Sequence, residues 1–199
     1  RAQIAAAHYV SNPGCYPQGF ILLVRPLIEA GLLSRDIPLR CNALSGYSGG
    51  GRQMIEQFQT MDANTANTLA VQSYGLDQDH KHLPEMTTFS GTSVAPIFVP
   101  TVANYDQGML AQIPLFAREL GGASPTQVHA ALAERYADEP FIHVADLGDR
   151  SMLQGNFLNP TARNNSNDMD LFVFGDAQRL LLCARYDNLG KGAAGAAVQ

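Results

Sequence analysis

The end of the chain carries the strongest constraint on its fold. Two apolar runs, 171–174 and 179–186, are separated by Gly175-Asp176, a pair typical of a tight turn between two strands. A hairpin of this kind makes neighbouring strands antiparallel, whereas a doubly wound parallel sheet needs a helical crossover between them. The sequence therefore predicts an α+β fold.

The remaining pattern alternates irregularly between helix and strand. Apolar residues at helical spacing predict a helix over 18–33, and Ser124 followed by Pro125 is typical of a helix N-terminus. Segment 64–74 has no clear pattern. The other predicted elements are strands at 37–45, 96–103, 108–116 and 141–145, with 96–103 and 108–116 expected to pair, and helices at 53–59 and 124–137.

Composition excludes several classes of function. The chain has 199 residues, of which 46% are hydrophobic and 16% charged, as in a soluble globular protein. The net charge is −5 and the basic residues are scattered, so no nucleic-acid or membrane surface is expected. The three cysteines include no Cys-x-x-Cys pair, which favours a reducing compartment and hence the cytoplasm over a disulfide framework.

Cys15 lies in the turn Asn12-Pro13-Gly14-Cys15-Tyr16-Pro17, directly before the predicted helix. Amide N–H groups at a helix N-terminus favour negative charge and lower the pKa of a nearby thiol. The pattern predicts a nucleophilic thiolate. The alternative is a small buried cysteine in a proline-rich turn.

Two other segments have residues suited to the same chemistry. The loop 45–52, Ser-Gly-Tyr-Ser-Gly-Gly-Gly-Arg, offers backbone amides to an anion, although such loops are often plain connections. In the run 80–86, Pro84 predicts a helix start with His82 near its N-cap, and Glu85 one turn on is expected to orient the imidazole. A metal site at His80 and His82 is disfavoured because acidic or cysteine ligands at zinc-like spacing are missing.

Lys191 lies between two glycines in the tail 187–192, where a last helix is predicted to begin. It suits a phosphate at a helix N-terminus equally well as an ordinary exposed lysine.

Together the segments 12–17, 45–52, 80–86 and 187–199 resemble the C-terminal catalytic domain of the N-acetyl-gamma-glutamyl-phosphate reductases, in the order found in that family. The resemblance implies the fold of the C-terminal domain of glyceraldehyde-3-phosphate dehydrogenase-like proteins, a mainly antiparallel or mixed sheet with helices on one face. It also implies that residues 1–199 form one catalytic and dimerisation domain of a homo-oligomer, either a dimer or a tetramer.

The resemblance further implies an NADP(H)-dependent reduction of a small molecule, N-acetyl-glutamyl 5-phosphate, to the semialdehyde through a Cys thioester. The family's N-terminal Rossmann domain is expected to be missing here, since no Gly-x-Gly-x-x-Gly fingerprint follows a strand. The chain alone is then expected to be inactive as a reductase. The implied sites contain no metal; they are catalytic Cys15, His82 and Glu85, substrate-binding Asn12, Ser45, Ser48, Gly49 and Arg52, and cofactor-binding Gly14, Asn188, Gly190 and Lys191.

Other functions stay open at this point. The chain would be an assembly module without reductase activity if it acts without a cofactor domain, or a Cys/His acyl hydrolase that needs no cofactor. Acetylaminoadipyl phosphate and aspartyl phosphate are alternative substrates, because one methylene group changes binding by only about 1–3 kcal/mol.

Overall fold

A computed structural model describes residues 2–199 of the chain. Seven strands form one mixed sheet in the order β2-β3-β1-β4-β7-β6-β5. The pairs β1/β3 and β5/β6 are parallel, and the other neighbours are antiparallel. The strands are β1 (Arg40–Gly46), β2 (Val71–Ser73), β3 (Ile97–Ala103), β4 (Met109–Phe116), β5 (Ile142–Val144), β6 (Met169–Gly175) and β7 (Arg179–Tyr186).

The helices that contact the sheet, α2 and α6, lie on one face, and α5 packs against α2. This arrangement confirms the predicted α+β class. Short 3₁₀ turns occupy Tyr47–Gly50 and Ala117–Leu120, and Gly190–Ala194 forms a π-type turn. The helices are α1 (Ala2–Ala5), α2 (Cys15–Glu29), α3 (Gly51–Thr60), α4 (Ala63–Thr68), α5 (Leu83–Ser90), α6 (Pro125–Tyr136) and α7 (Gly195–Val198). Within residues 2–199, no helix combines the length and apolar character needed to cross a bilayer.

Local signals correctly predicted two boundaries. The Ser124 side chain accepts the backbone N–H of Gln127, whose own side chain accepts the Ser124 N–H, so α6 begins with a complete capping box. In the hairpin from β6 to β7, Gly175 has a φ of +123°, and a Cβ there would lie 2.0 Å from the Arg179 carbonyl oxygen. Glycine is therefore required at this turn.

The expected pairing of 96–103 with 108–116 is wrong, because β1 lies between β3 and β4. The link between β3 and β4 passes over the end of β1 instead of closing a hairpin. Its carbonyl groups at 105, 106 and 108 accept the backbone N–H groups of 47, 48 and 46, respectively. The short distance along the chain predicted a hairpin, whereas these three hydrogen bonds hold the link across a third strand.

Two buried tyrosines fix α2 against its neighbours. Pro26 lies inside α2 and has no N–H to donate to the Leu22 carbonyl one turn earlier. The Tyr136 hydroxyl of α6 donates to that carbonyl at 2.7 Å and replaces the missing donor. The Tyr186 hydroxyl contacts the first turn of the same helix. The helix that begins at Cys15 is thus tied to both α6 and β7.

Candidate active site

Cys15 is the first residue of α2 and follows Gly14, whose extended backbone forms the N-cap. The half-buried Cys15 lines a cavity of about 320 Å³. Residues of β1, of the glycine-rich loop and of the run 80–82 line the same cavity. The side chains and backbone that line this cavity belong to Cys15, Tyr16, Ser45, Gly49, Gly50, Met54, Tyr74, His80, Lys81, His82 and Val102.

The environment of the Cys15 thiol differs from the one expected at a helix N-terminus. Burial raises its pKa above the ordinary value, and Glu85 also raises it. Hydrogen bonds from the backbone and the positive charge of Lys81 act in the opposite direction but are outweighed. The prediction of a lowered pKa is therefore wrong for this state, because loss of solvent costs the thiolate more than the helix end returns. The resting group is a thiol that needs a base.

His82 lies at the N-cap of α5, with its ring against Gly14. A Cβ placed on Gly14 would lie 2.6 Å from both Cδ2 and Nε2 of this ring, so only glycine allows the close approach. Burial, followed by the neighbouring His80 and Lys81, lowers the pKa of His82 to about 4. Its buried Nδ1 has no hydrogen-bond partner among the described residues. His82 is a neutral imidazole that lines the same cavity as Cys15, with incomplete hydrogen bonding.

Glu85 does not make the contact that the sequence predicted. Both of its carboxylate oxygens accept the backbone N–H of Gly14, at 3.0 and 3.1 Å, and no hydrogen bond to His82 is present in the described chain. The physical reason is the helical turn between His82 and Glu85, which places the carboxylate at the N–H of Gly14, in the peptide group between Pro13 and Gly14. Glu85 therefore holds the N-cap of the helix that begins at Cys15.

His80 is a site residue whose role the sequence left undefined. Its Nδ1 accepts the backbone N–H of His82 at 3.1 Å, and its ring packs edge-on to Tyr16 and Phe98. The Tyr74 hydroxyl donates to that of Tyr16 at 3.3 Å. One wall of the cavity is therefore aromatic. No cluster of three or more potential metal ligands occurs in residues 2–199.

The glycine-rich loop has fewer backbone N–H groups available to an anion than expected. The N–H of Ser48 donates to the Asp106 carbonyl, and the N–H of Gly51 donates to the Ser48 carbonyl. Ser45 is buried and its hydroxyl donates to the Gly46 carbonyl, while Ser48 donates its hydroxyl to Asp106. Among the predicted substrate-binding residues, only Ser45 and Gly49 line the cavity.

Arg52 and Asn12 do not reach this site. The Arg52 side chain is 91% exposed and pairs with Glu56 at 2.7 Å one turn further along α3. Asn12 is exposed ahead of α2. The cation in the cavity lining is instead Lys81, which the sequence analysis treated only as part of the histidine run. Its position between two histidines was the available signal.

The residues predicted to bind the cofactor make contacts within this domain. Asn188 is 2% exposed; its side chain accepts the Gly108 N–H and donates to the Ser48 hydroxyl. Lys191 is buried and donates to Gln199 at 2.6 Å. A Cβ on Gly190 would lie 2.6 Å from the Ser166 carbonyl oxygen. The Gly14 N–H is bonded to the Glu85 carboxylate, and a role of these four residues at a cofactor stays a prediction.

Comparisons with known proteins agree with this geometry. Relatives named N-acetyl-gamma-glutamyl-phosphate reductase are 46% identical over the whole chain in Nostoc sp., 48% over 98% of it in Burkholderia lata and 47% over all of it in Brucella ovis. The chain spans 62–64% of the length of these relatives. Their names confirm the resemblance predicted from the motifs.

Solved structures show the same fold. Aspartate semialdehyde dehydrogenase II from Vibrio cholerae matches 99% of this chain and 62% of its own, with a TM-score of 0.68 at 17% identity. A probable aspartate-semialdehyde dehydrogenase from Pseudomonas aeruginosa matches 99% of this chain and 63% of its own, with a TM-score of 0.66 at 18% identity. The family model described as "Semialdehyde dehydrogenase, dimerisation domain" matches residues 15–188. The chain therefore belongs to the family of semialdehyde dehydrogenase dimerisation domains.

Proposed function

We propose that this chain is the catalytic and dimerisation domain of an N-acetyl-gamma-glutamyl-phosphate reductase of arginine biosynthesis. The observation that carries the proposal is the meeting of Cys15 and His82 in one cavity of about 320 Å³. The relatives of 46–48% identity give the substrate, N-acetyl-glutamyl 5-phosphate, by their names. The products are N-acetyl-glutamate 5-semialdehyde and phosphate.

The residues of this chain perform the acyl-transfer half of the reaction. The Cys15 sulfur attacks the acyl carbon, a C–S bond forms, and the bond from that carbon to the phosphate oxygen breaks with its electron pair on the departing phosphate. The thiol proton passes to neutral His82, because the raised pKa of Cys15 leaves the thiol protonated at neutral pH. The result is a thioester on Cys15 and inorganic phosphate.

Four neighbouring residues support this step. Glu85 fixes the peptide of Gly14 and, through it, the start of α2. Lys81 lines the cavity and carries the positive charge that an acyl phosphate needs nearby. Ser45 and Gly49 line the wall contributed by the end of β1 and the loop that follows. Proton transfer by a placed histidine contributes about 10²- to 10⁴-fold to such reactions.

The hydride that completes the reduction comes from NADPH in the proposed reaction. The predicted cofactor residues of this chain are occupied by internal contacts, so we place the NADP(H) site in a Rossmann domain of the longer protein. In this proposal the chain alone catalyses acylation but no net reduction. It also self-associates as a dimer or tetramer and works in the cytoplasm.

Acylation of the chain by its substrate tests the proposal. The purified chain is mixed with N-acetyl-glutamyl 5-phosphate, released phosphate is counted, and the acyl group is located by mass spectrometry. We expect a single burst of phosphate and an adduct on Cys15, with none on Cys15→Ser and a normal adduct on Cys183→Ser.

Two results would contradict parts of this assignment. If the intact chain carries no adduct after mixing, the proposed thioester intermediate is contradicted. Steady phosphate release would indicate an acyl hydrolase. Joined to its N-terminal neighbour, the chain is expected to reduce NADP with the semialdehyde only when phosphate is present. Aspartyl phosphate is tested in parallel, and acylation by this shorter compound would favour it as the substrate.

A further inference from the structure

The hydroxyl of Tyr186 lies in the first turn of the helix that carries Cys15. It donates to the Cys15 carbonyl at 2.8 Å and accepts the Gly19 N–H at 3.2 Å. In a regular helix these two groups, four residues apart, form a hydrogen bond with each other. Tyr186 is the last residue of β7 and is 0% exposed, so the sheet itself holds the turn at which the nucleophile begins.

The approach of this hydroxyl depends on Gly19. A Cβ at that position would lie 2.8 Å from the Tyr186 hydroxyl oxygen and 2.9 Å from the Ala111 Cβ. Glycine inside a helix costs about 0.5–1 kcal/mol relative to alanine. The close contact with Tyr186 gives this unfavourable residue a structural reason.

The segment after β7 also contacts the nucleophile from another side. The Gly192 N–H donates to the Asp187 carbonyl at 2.7 Å, which turns the chain back toward α2. A Cβ on Gly192 would lie 3.1 Å from the Cys15 Cβ. Residues 186–192 thus contact both the backbone and the side chain of Cys15.

We propose that Tyr186 is a positioning residue for Cys15: by bridging Cys15 and Gly19, its hydroxyl sets the direction of the first peptide of α2 and thereby the place of the sulfur in the cavity. This role rests on the proposed acyl transfer, in which Tyr186 itself touches no substrate. Burial raises the pKa of Tyr186 well above its ordinary value, so the hydroxyl stays a donor throughout the working pH range.

Tyr136 offers a matched control on the same helix. It is also buried, and its hydroxyl donates to a backbone carbonyl of α2, that of Leu22, at 2.7 Å. Removing the Tyr136 hydroxyl takes one hydrogen bond from α2 and removing the Tyr186 hydroxyl takes two, and both changes leave an aromatic ring in place. Only Tyr186 contacts the turn that contains Cys15, so the two variants separate loss of helix stability from loss of positioning.

The experiment compares Tyr186→Phe, Tyr136→Phe and the unsubstituted chain. Iodoacetamide alkylation of Cys15 is followed by peptide mass spectrometry from neutral to alkaline pH, and acylation by N-acetyl-glutamyl 5-phosphate is followed in a single turnover. We expect Tyr186→Phe to lower the acylation rate by about 10-fold, since small misplacements of a reacting group cost up to about 10²-fold, and to change the alkylation profile. Tyr136→Phe is expected to lower the Tm but to keep both rates.

Equal alkylation profiles for the two folded variants would overturn the proposal. If Tyr186→Phe does not fold, Gly19→Ala displaces the hydroxyl without removing it, and an unchanged alkylation profile in that variant would overturn the proposal equally. Alkylation needs no substrate. A chain that shows the difference in alkylation but takes no acyl group therefore supports the positioning role while rejecting the proposed function.

Discussion

Two buried polar clusters lie on opposite faces of the sheet and differ in how completely they are hydrogen-bonded. On the face away from α2, Asp170 is 0% exposed, and its carboxylate accepts hydrogen bonds of 2.6 to 3.0 Å from the side chains of Arg163 and Arg185. On the helix face, Cys15 and His82 are uncharged, and the buried Nδ1 of His82 has no hydrogen-bond partner among residues 2–199.

The difference separates stability from chemistry. A charge cluster whose hydrogen bonds are complete cannot give up a proton or bind a ligand without losing contacts, so it serves the fold. A neutral thiol and imidazole with spare hydrogen-bonding capacity can exchange a proton when substrate arrives. The adjacent residues Arg185 and Tyr186 of β7 point to opposite faces, and each supports one of the two clusters.

The largest expected effect is at the nucleophile. Cys15→Ser in the full reductase should remove turnover by about 10⁶-fold, as for other covalent nucleophiles, because serine has no activating base matched to its higher pKa. Cys41→Ser and Cys183→Ser should keep most activity in the folded fraction, since both thiols are buried away from the cavity. Steady-state NADP reduction measures this, and an equal loss at Cys41 or Cys183 would refute the assignment.

The next effect concerns the proton carrier. His82→Asn should lower the rate of acylation by about 10²- to 10⁴-fold. His80→Asn should cost less, because the His80 Nδ1 is engaged with the backbone N–H of His82 and its ring packs against Tyr16 and Phe98. Single-turnover acylation of both variants makes the comparison, and a greater loss at His80 would exchange their roles.

Substitution in the Asp170 cluster should instead lower the free energy of unfolding. Asp170→Asn leaves Arg163 and the buried Arg185 without their shared carboxylate, which costs about 3–5 kcal/mol in the free energy of unfolding. Glu56→Gln breaks an exposed pair with Arg52 and should cost less than about 1 kcal/mol. Urea unfolding checks both values. A folded Asp170→Asn with altered Cys15 alkylation would show that the two clusters are coupled.

A pH dependence distinguishes the clusters further. The pKa of His82 is about 4 in the folded chain, against an ordinary value of 6.5. The unfolded chain binds the proton more tightly, so this contribution to stability is present above about pH 6.5 and is lost as pH falls through about 4. The unfolding free energy of His82→Gln should therefore fall less between pH 7 and 4.5 than that of the unsubstituted chain. Equal losses would mean that His82 titrates normally.

The smallest expected effect is a change in KM, which compares the side chains of Lys81 and Arg52. Lys81→Met should raise the KM for the acyl phosphate about 10-fold, in keeping with a hydrogen bond to a charged group worth about 1.5–3 kcal/mol. Arg52→Met should leave KM unchanged, since its side chain points to solvent. Initial-rate kinetics decide between them, and the reverse ranking would restore the site that the sequence predicted at Arg52.

The parts of this structure that were predicted correctly depend on local sequence patterns. The turn at Gly175 and the cap at Ser124 depend on residues a few positions apart. The Cys15 and His82 motifs also lie in single short runs, and their catalytic roles stay predictions. The errors came from partners far apart in the chain. Glu85 binds Gly14 across 71 positions and Tyr186 contacts Cys15 across 171, and no periodicity encodes such pairs.

The proline inside α2 makes this helix depend on a distant part of the chain. Because Pro26 has no N–H to donate, the Leu22 carbonyl lacks its intrahelical donor. The Tyr136 hydroxyl of α6, 114 positions further along the chain, supplies that hydrogen bond instead. The hydrogen bonding of the helix that begins at Cys15 is therefore complete only when α6 is packed against it.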